Sequence, residues 1–169
     1  MHIKIGILIA HNGFRDEEYW VPKKMFEESS CQIITISSKK TPAISKFKET
    51  TPVDIVIGDL NMDEIKSLVI VGGPGTQEYF DNLLVHKLAR ETLEKNKILA
   101  AICIAPVILA RAGLLAGKKA TVFPTGREEL EKADAKYVDE AVVSEGNIIT
   151  ANGPQAAQSF AERILSRLF

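Results

Sequence analysis

The residue with the clearest chemical potential is Cys103, in the stretch Ala100-Ala101-Ile102-Cys103-Ile104-Ala105-Pro106. An apolar run precedes the thiol and a proline follows it, a pattern that predicts a buried strand turning sharply into a helix. Such an elbow presents its side chain outward, and the free amides of the new helix favour a thiolate by lowering the thiol pKa. Free cysteines also occur as small buried apolar residues, so spacing alone leaves a nucleophile and a core residue equally open.

Two glycines could assist such a nucleophile. Gly72 and Gly73 follow the apolar run Ser67-Leu68-Val69-Ile70-Val71, and their backbone amides could bind an oxyanion. A glycine pair after a strand is also typical of a plain tight turn. No Lys-Ser or Lys-Thr follows, and the spacing of a dinucleotide-binding loop is missing, so we expect no nucleotide cofactor.

An acidic cluster, Asp16-Glu17-Glu18, follows the first predicted strand. A carboxyl beside a thiolate would be protonated and would donate a hydrogen bond, because two adjacent anions repel each other. The alternative is that the cluster only caps and solvates a helix start, which is the better interpretation for Asp16 and Glu17. Pro22 predicts that the regular helix begins near Val21, since proline is tolerated only in a first turn.

The elements that must position these groups alternate between strand and helix. This order predicts the α/β class, with a largely parallel sheet covered by helices on both faces. In such sheets ligands bind at the carboxyl ends of the strands. Four predicted strand ends would therefore converge on a pocket: His11-Asn12-Gly13, Gly72-Gly73-Pro74-Gly75, Cys103, and Ala151-Asn152-Gly153-Pro154. A short strand is expected at Thr121-Val122-Phe123, and short edge strands are expected between Lys39 and Pro52.

Length and composition limit the function classes. The 169 residues predict one domain spanning 1–169, and 21 Lys+Arg against 22 Asp+Glu give a net charge of -1. A balanced charge argues against nucleic-acid binding, and no apolar run is long enough for a membrane span. The chain starts directly with a strand pattern rather than a signal peptide. With only two cysteines, Cys31 and Cys103, we expect no disulfide framework and a cytoplasmic location.

Taken together, these motifs resemble the ThiJ/PfpI superfamily, which has the class I glutamine amidotransferase-like fold. The similar segments span essentially the whole chain: Phe14-Arg15-Asp16-Glu17-Glu18-Tyr19-Trp20-Val21-Pro22, Val69-Ile70-Val71-Gly72-Gly73, Ala101-Ile102-Cys103-Ile104-Ala105-Pro106, and Thr150-Ala151-Asn152-Gly153-Pro154. The resemblance implies a flavodoxin-like three-layer sandwich, a homodimer or larger homo-oligomer, and no cofactor or metal. It also implies site roles, in which Cys103 is the reactive cysteine, Glu18 hydrogen-bonds its thiol, and the amides of Gly73 and Ile104 form the oxyanion hole.

The sequence departs from the family pattern where a base is expected. Peptidase-type members carry a histidine directly after the cysteine, where this chain has Ile104. Other members place one before a later proline, where this chain has Phe123, and Asn152 stands where relatives often have arginine. Of the three histidines, His2 and His86 are expected at the surface. His11 lies at the correct edge of the sheet and could reach the pocket, but the favoured interpretation is a loop histidine with ordinary solvation.

Three hypotheses follow from the residues and the resemblance. The first is a cysteine-dependent enzyme, a glyoxalase, deglycase or weak hydrolase, acting on small carbonyl or amide substrates; peptide hydrolysis is not expected without a histidine. The second is a redox sensor or chaperone that uses oxidation of Cys103. The third is a binding or assembly module with an unreactive thiol.

Overall fold

The computed structural model describes residues 2–169. The strands within that range are β1 (Lys4–Leu8), β2 (Asn12–Phe14), β3 (Gln32–Ser37), β4 (Ala43–Ser45), β5 (Thr50–Thr51), β6 (Ile55–Val56), β7 (Ser67–Ile70), β8 (Ile98–Ile102), β9 (Lys119–Ala120), β10 (Lys136–Tyr137), β11 (Val142–Glu145) and β12 (Ile148–Ala151). The α-helices are α1 (Asp16–Glu28), α2 (Leu83–Glu94), α3 (Pro106–Arg111), α4 (Arg127–Lys132) and α5 (Ala157–Leu168). Short 3-10 helices cover Ile57–Asp59, Met62–Glu64, Pro74–Tyr79, Pro124–Gly126 and Pro154–Ala156.

The central sheet has the strand order β11-β12-β8-β7-β1-β3-β6. Every neighbouring pair in it is parallel except β11 and β12, which form the hairpin at one edge. The carboxyl ends of β1, β7, β8 and β12 therefore lie along the same edge of the sheet. The short strands β4 and β5 pair with each other in the segment where edge strands are expected, and β4 also pairs with β2.

Alternating side chains of the parallel strands cover two separate cores. Ile5 and Ile7 of β1 pack on one face, in a cluster that includes Phe26 of α1 and Phe160 of α5. Leu8 points to the other face, whose cluster includes residues of α2, α3 and α4. Because both faces of each central strand are buried, these strands are continuously apolar in sequence. The predicted α/β class and flavodoxin-like three-layer sandwich are confirmed.

Helix α1 begins earlier than the proline predicts. It runs from Asp16 and contains Pro22 in its interior, so the expected start near Val21 is wrong. Proline cannot donate to the carbonyl of Glu18 four residues earlier, and an interior proline typically costs about 3 kcal/mol. Pro22 is buried together with Tyr19 and Phe26, so tertiary packing of this helix face outweighs the lost hydrogen bond.

The strand expected at Thr121-Val122-Phe123 is absent. Strand β9 ends at Ala120, and the following loop runs beside the site, where the Phe123 N–H donates to the Cys103 carbonyl.

Among residues 2–169, no helix combines the length and apolarity needed to cross a membrane.

Candidate active site

Cys103 occupies a strained elbow directly after β8. Its φ of 64° lies in the left-handed region, which residues other than glycine rarely adopt. Two backbone hydrogen bonds hold this conformation: the Cys103 N–H donates to the Ala151 carbonyl at 2.8 Å, and the Cys103 carbonyl accepts from the Phe123 N–H at 2.7 Å. The neighbouring strand β12 and the loop after β9 thus fix the direction of the thiol.

Glu18, the third residue of α1, is fully buried beside Cys103. Its Oε1 atom accepts a hydrogen bond from the Gly72 N–H at 3.1 Å, while Oε2 has no nitrogen or oxygen partner among the described residues. The carboxyl and the thiol-bearing carbon are close neighbours, because a Cβ on Gly72 would lie 2.7 Å from Glu18 Oε1 and 2.6 Å from Cys103 Cβ. Burial raises the pKa of Glu18 to about 8, so the carboxyl keeps its proton at neutral pH and can donate it to sulfur.

The Cys103 thiol titrates differently from the sequence expectation. Burial raises the pKa of Cys103 above its ordinary value, and a Glu18 carboxylate would raise it further. The Ile104 amide and the Arg15 guanidinium lower that pKa, as expected of a helix start and a nearby cation, but their effects are smaller. The prediction that the helix amides set a low pKa is therefore wrong, because the thiol is more deeply buried than the elbow pattern indicated.

The other members of the acidic cluster behave unequally. Glu17 is partly exposed and forms an ion pair with Arg15, whose Nε lies 2.7 Å from Glu17 Oε2. Asp16 is not solvated, because it is buried and its Oδ2 accepts a hydrogen bond from the Phe47 N–H at 3.2 Å. The interpretation of a solvated helix start thus holds for Glu17 and is wrong for Asp16.

Two backbone amides beside the thiol are free to bind an oxyanion. Neither the Gly73 N–H nor the Ile104 N–H donates to a protein oxygen among residues 2–169, and the Ile104 amide lowers the pKa of the adjacent Cys103 thiol. Gly73 has a φ of 119°, and a Cβ there would lie 2.5 Å from both the Arg15 nitrogen and the Gly13 oxygen. Only glycine fits this position, so the loop can bring its amide next to sulfur.

A cleft of about 250 Å³ opens over the thiol, at the small end of ligand sites. Its lining residues are Arg15, Lys46, Gly73, Pro74, Gln77, Cys103, Ile104, Phe123, Thr125 and Pro154. Cys103 and the residues that carry both free amides therefore line one small cleft, whereas the protonated Glu18 carboxyl lies buried beside the thiol and outside the cleft lining. This arrangement can add a thiol to a carbonyl carbon and stabilise the resulting oxyanion.

Comparison with known proteins identifies the family and the fold. The sequence model of the DJ-1/PfpI family matches residues 3–167. The chain belongs to this family. A protein of Methanocaldococcus jannaschii is 41% identical over 168 residues, covering 98% of this chain and 82% of the relative. Deglycase PfpI of Pyrococcus furiosus is 28% identical, over 88% of this chain and 89% of the relative.

The same family relation is visible in solved structures. The crystal structure of a ThiJ/PfpI domain protein from Brachyspira murdochii superimposes with a TM-score of 0.96 at 30% sequence identity. The match covers 99% of this chain and 98% of that one. The arrangement of sheet and helices around Cys103 therefore agrees with that of a solved DJ-1/PfpI-type protein along nearly its whole length.

Not every residue expected at the pocket lines the cleft of this DJ-1/PfpI protein. Phe123 and Pro154 line it, whereas Gly72 lies beneath it, bonded to Glu18. His11 and Asn152 do not line the cleft. The His11 ring nitrogen Nε2 instead lies 2.9 Å from the hydroxyl of Thr41, in the segment between β3 and β4.

The remaining histidines also stand away from the thiol. His86 is buried rather than at the surface, because its Nε2 hydrogen-bonds the Phe80 carbonyl at 2.7 Å and anchors the start of α2. His2 is exposed, as expected. Within the described part of the chain, no group of three His, Cys, Asp or Glu side chains is arranged to hold a metal ion.

Sequence reasoning missed several cleft residues. Arg15 stands three residues before Glu18 in the motif that carries the family resemblance, so its place at the same strand end was a usable signal. Lys46 lies in the loop after β4, and Gln77 and Thr125 lie in short 3-10 helices. No local pattern indicates these three, because only the tertiary fold brings their segments to the cleft.

Proposed function

We propose that this protein is a cysteine-dependent enzyme of the glyoxalase or deglycase type, acting on small reactive carbonyl compounds. The observation that carries the proposal is the pairing of Cys103 with the buried, protonated Glu18 at a cleft with two free amides. The name of the relative Deglycase PfpI supports the same reaction class. The small volume of the cleft favours compact carbonyl compounds over polymers.

The first step is the addition of Cys103 to an aldehyde. A sulfur–carbon bond forms, the π electrons of the carbonyl move to its oxygen, and the thiol proton ends on that oxygen through Glu18. The negative charge on oxygen develops within reach of the Gly73 and Ile104 amides, which stabilise it without reorganisation. Glu18 thus acts as the proton shuttle, a role that its pKa near 8 suits at neutral pH.

For an α-oxoaldehyde, the hydrogen on the former aldehyde carbon then leaves as a proton. It returns to the neighbouring carbon through an enediol, so that one carbon is oxidised to a thioester while the other is reduced to an alcohol. Water then cleaves the sulfur–carbon bond, which gives an α-hydroxy acid and restores the thiol. No external oxidant or reductant is needed. A deglycase reaction would begin with the same addition of sulfur to carbon.

Peptide hydrolysis fits this cleft less well. An amine leaving group must be protonated as it departs, which histidine does in the common cysteine and serine hydrolases. No histidine is among the residues that line the cleft, and Ile104 directly follows the nucleophile. We therefore assign carbonyl addition, whose oxyanion needs amides and one proton shuttle, in preference to amide cleavage.

Replacing Cys103 by serine tests the proposal. With methylglyoxal as substrate, we expect the wild-type chain to form many equivalents of lactate per chain and Cys103→Ser to be slower by about 100-fold or more. Lactate should be measured rather than methylglyoxal loss alone, because surface lysines and arginines consume methylglyoxal without turnover. Cys31→Ser provides the matched control, since Cys31 is the other cysteine, is also buried, and does not line the cleft.

Equal lactate formation by the wild type and Cys103→Ser would refute a cysteine mechanism. Loss of activity in Cys31→Ser as well as in Cys103→Ser would indicate a folding defect instead. Circular dichroism of each variant separates these two results.

A second candidate function is oxidation sensing, which needs no general base and so fits a cleft lining without histidine, although the raised pKa of Cys103 would slow it. At each step one molecule of hydrogen peroxide would transfer one oxygen atom to sulfur, and its other oxygen atom would leave as water. Two such steps give the sulfinic acid. Intact-mass and peptide analysis after mild peroxide should then place two oxygen atoms on Cys103 and none on Cys31. Equal oxidation of the two cysteines, or of neither, would contradict this function.

A further inference from the structure

We propose that Arg15 and Lys46 form an anion-binding subsite that selects carbonyl substrates bearing a carboxylate. This inference rests on the proposed carbonyl chemistry of Cys103 and specifies its substrate class. Both cations line the cleft that contains the thiol, and no acidic side chain is among its lining residues. The carboxyl nearest to sulfur, Glu18, keeps its proton at neutral pH and so does not offset these charges.

The two cations are fixed in place by their backbones. The Arg15 N–H donates to the Gly72 carbonyl at 2.9 Å, which ties Arg15 to the loop beside the thiol. The Lys46 N–H donates to the Phe14 carbonyl at 2.8 Å, which connects the loop after β4 to the residue before Arg15. These main-chain hydrogen bonds hold the backbones of Arg15 and Lys46 beside the loop that carries Gly73, and both residues line the cleft.

Phe47 supports both cationic side chains. The Arg15 Cζ atom lies 5.2 Å and the Lys46 Nζ atom 5.5 Å from the centre of its ring, within the range of cation–π contacts. The Phe47 N–H in turn donates to the buried Asp16 carboxyl, which fixes the residue that carries the ring. One aromatic ring thus contacts both cations, and an anion bound by Arg15 and Lys46 would offset the repulsion between their charges.

Free donors remain on both cations. Glu17 accepts from Arg15 Nε at 2.7 Å and from Nη2 at 3.3 Å, so Nη1 is left without a protein acceptor in residues 2–169. The same range contains no ion pair or hydrogen bond from Lys46 Nζ. Glu17 offsets part of the positive charge, which leaves two separate donors and a net positive cleft mouth. This donor set suits the two oxygens of a carboxylate.

The chemical consequence is a preference for an α-oxoaldehyde whose far end is a carboxylate. The carboxylate would bind Arg15 and Lys46 while the aldehyde reaches Cys103. γ,δ-Dioxovalerate has this form, and the isomerisation described above, with one water added, converts it to α-hydroxyglutarate. Methylglyoxal is the matched neutral substrate, because it has the same reactive end and no carboxylate.

Alkylation of Cys103 tests the subsite without depending on turnover. In a Cys31→Ser background Cys103 is the only thiol, and its rates with iodoacetate and iodoacetamide are compared. Both reagents transfer a two-carbon unit to sulfur and release iodide, but only iodoacetate is an anion. The ratio of the two rates cancels any change in thiolate fraction, so it reports the attraction of the anion alone.

We expect Arg15→Gln and Lys46→Gln each to lower this ratio by about fivefold, with a larger loss in the double variant. Lys48→Gln is the matched control, since Lys48 is exposed in the same loop, does not line the cleft, and should leave the ratio unchanged. Glu17→Gln should raise the ratio, because it frees the Arg15 guanidinium. A wild-type ratio no higher than that of the double variant would overturn the subsite.

Turnover then separates the subsite from the proposed function. The wild type should convert γ,δ-dioxovalerate with a higher kcat/KM than methylglyoxal, and the ratio of these two kcat/KM values should fall in the double variant, whereas Lys48→Gln should keep the wild-type ratio. A charge-dependent alkylation ratio without turnover of either compound would support the subsite and refute the glyoxalase function. Turnover of both compounds with no effect of substitutions at Arg15 or Lys46 would support the glyoxalase function and refute the subsite.

Discussion

Glu18→Gln should remove a pH dependence of stability that the wild type shows between about pH 5 and pH 8. The folded-state pKa of Glu18 is raised from 4.5 to about 8, so in this interval the folded protein holds a proton that the unfolded chain releases. The free energy of unfolding of the wild type therefore falls as pH rises, by about 1.4 kcal/mol per pH unit from this group alone. The fall ends near the folded-state pKa.

Glutamine is a close isostere for this experiment. Its amide oxygen can accept from the Gly72 N–H, and its NH₂ group can act as a donor where the protonated carboxyl would donate its proton. The difference in unfolding free energy between the wild type and Glu18→Gln, measured by urea denaturation at several pH values, isolates the Glu18 proton. Ionisation of the Cys103 thiol does not interfere below pH 8, because its pKa is raised as well.

Glu17→Gln is the control for the neighbouring carboxyl. Its hydrogen bond to Arg15 lowers the pKa of Glu17, so the stability that this pair contributes is lost only as pH falls below the ordinary pKa of a glutamate. The difference between the wild type and Glu17→Gln should therefore be constant from about pH 5.5 to pH 8. If the wild type and Glu18→Gln changed in parallel over this range, Glu18 would be ionised in the folded protein and could not supply a proton to sulfur.

Much of the fold could be predicted because the apolar patterns are local. The continuous runs in β7 and β8 indicate strands buried on both faces, and the proline after Cys103 marks the strand-to-helix elbow. Convergence of strand ends placed Gly73 and Cys103 at one site. These predictions depend on residues close in sequence and on a general property of parallel sheets, so they needed no knowledge of the tertiary packing.

The rest depended on contacts between distant segments. Burial of Pro22 against the core outweighs its poor helix propensity. The buried ring of His86 hydrogen-bonds the Phe80 carbonyl, a contact that no sequence pattern predicts. The pKa of Cys103 is set by how deeply the elbow is buried, which the order of residues does not give. Lys46 reaches the cleft only because the β4 loop hydrogen-bonds to the chain just before Arg15.

Gly75→Ala should cause one of the largest losses of stability available by a single methyl group. A Cβ at Gly75 would overlap the Asn12 carbonyl oxygen, and it would lie 2.8 Å from the Asn12 carbonyl carbon and 3.0 Å from Ala10 Cβ. These neighbours are backbone and a rigid side chain beside β2, so they cannot rotate away. We expect a loss of about 3 kcal/mol or more, and a lower Tm by roughly 10 °C for a chain of this length.

Gly58→Ala is the matched control for this steric argument. Both glycines lie in short 3-10 helices, and neither has a positive φ, so alanine causes no backbone strain at either position. A Cβ at Gly58 would contact only Leu84 Cδ2, at an ordinary distance of 3.8 Å. We expect Gly58→Ala to be neutral or to stabilise by up to about 1 kcal/mol, since it lowers the entropy of the unfolded chain.

Similar melting temperatures for the two variants would mean that the loop carrying Gly73 and Gly75 can move away from β2. Such a loop could not hold the Gly73 amide fixed beside Cys103, so thermal unfolding of this pair also tests whether the oxyanion-binding loop is rigid.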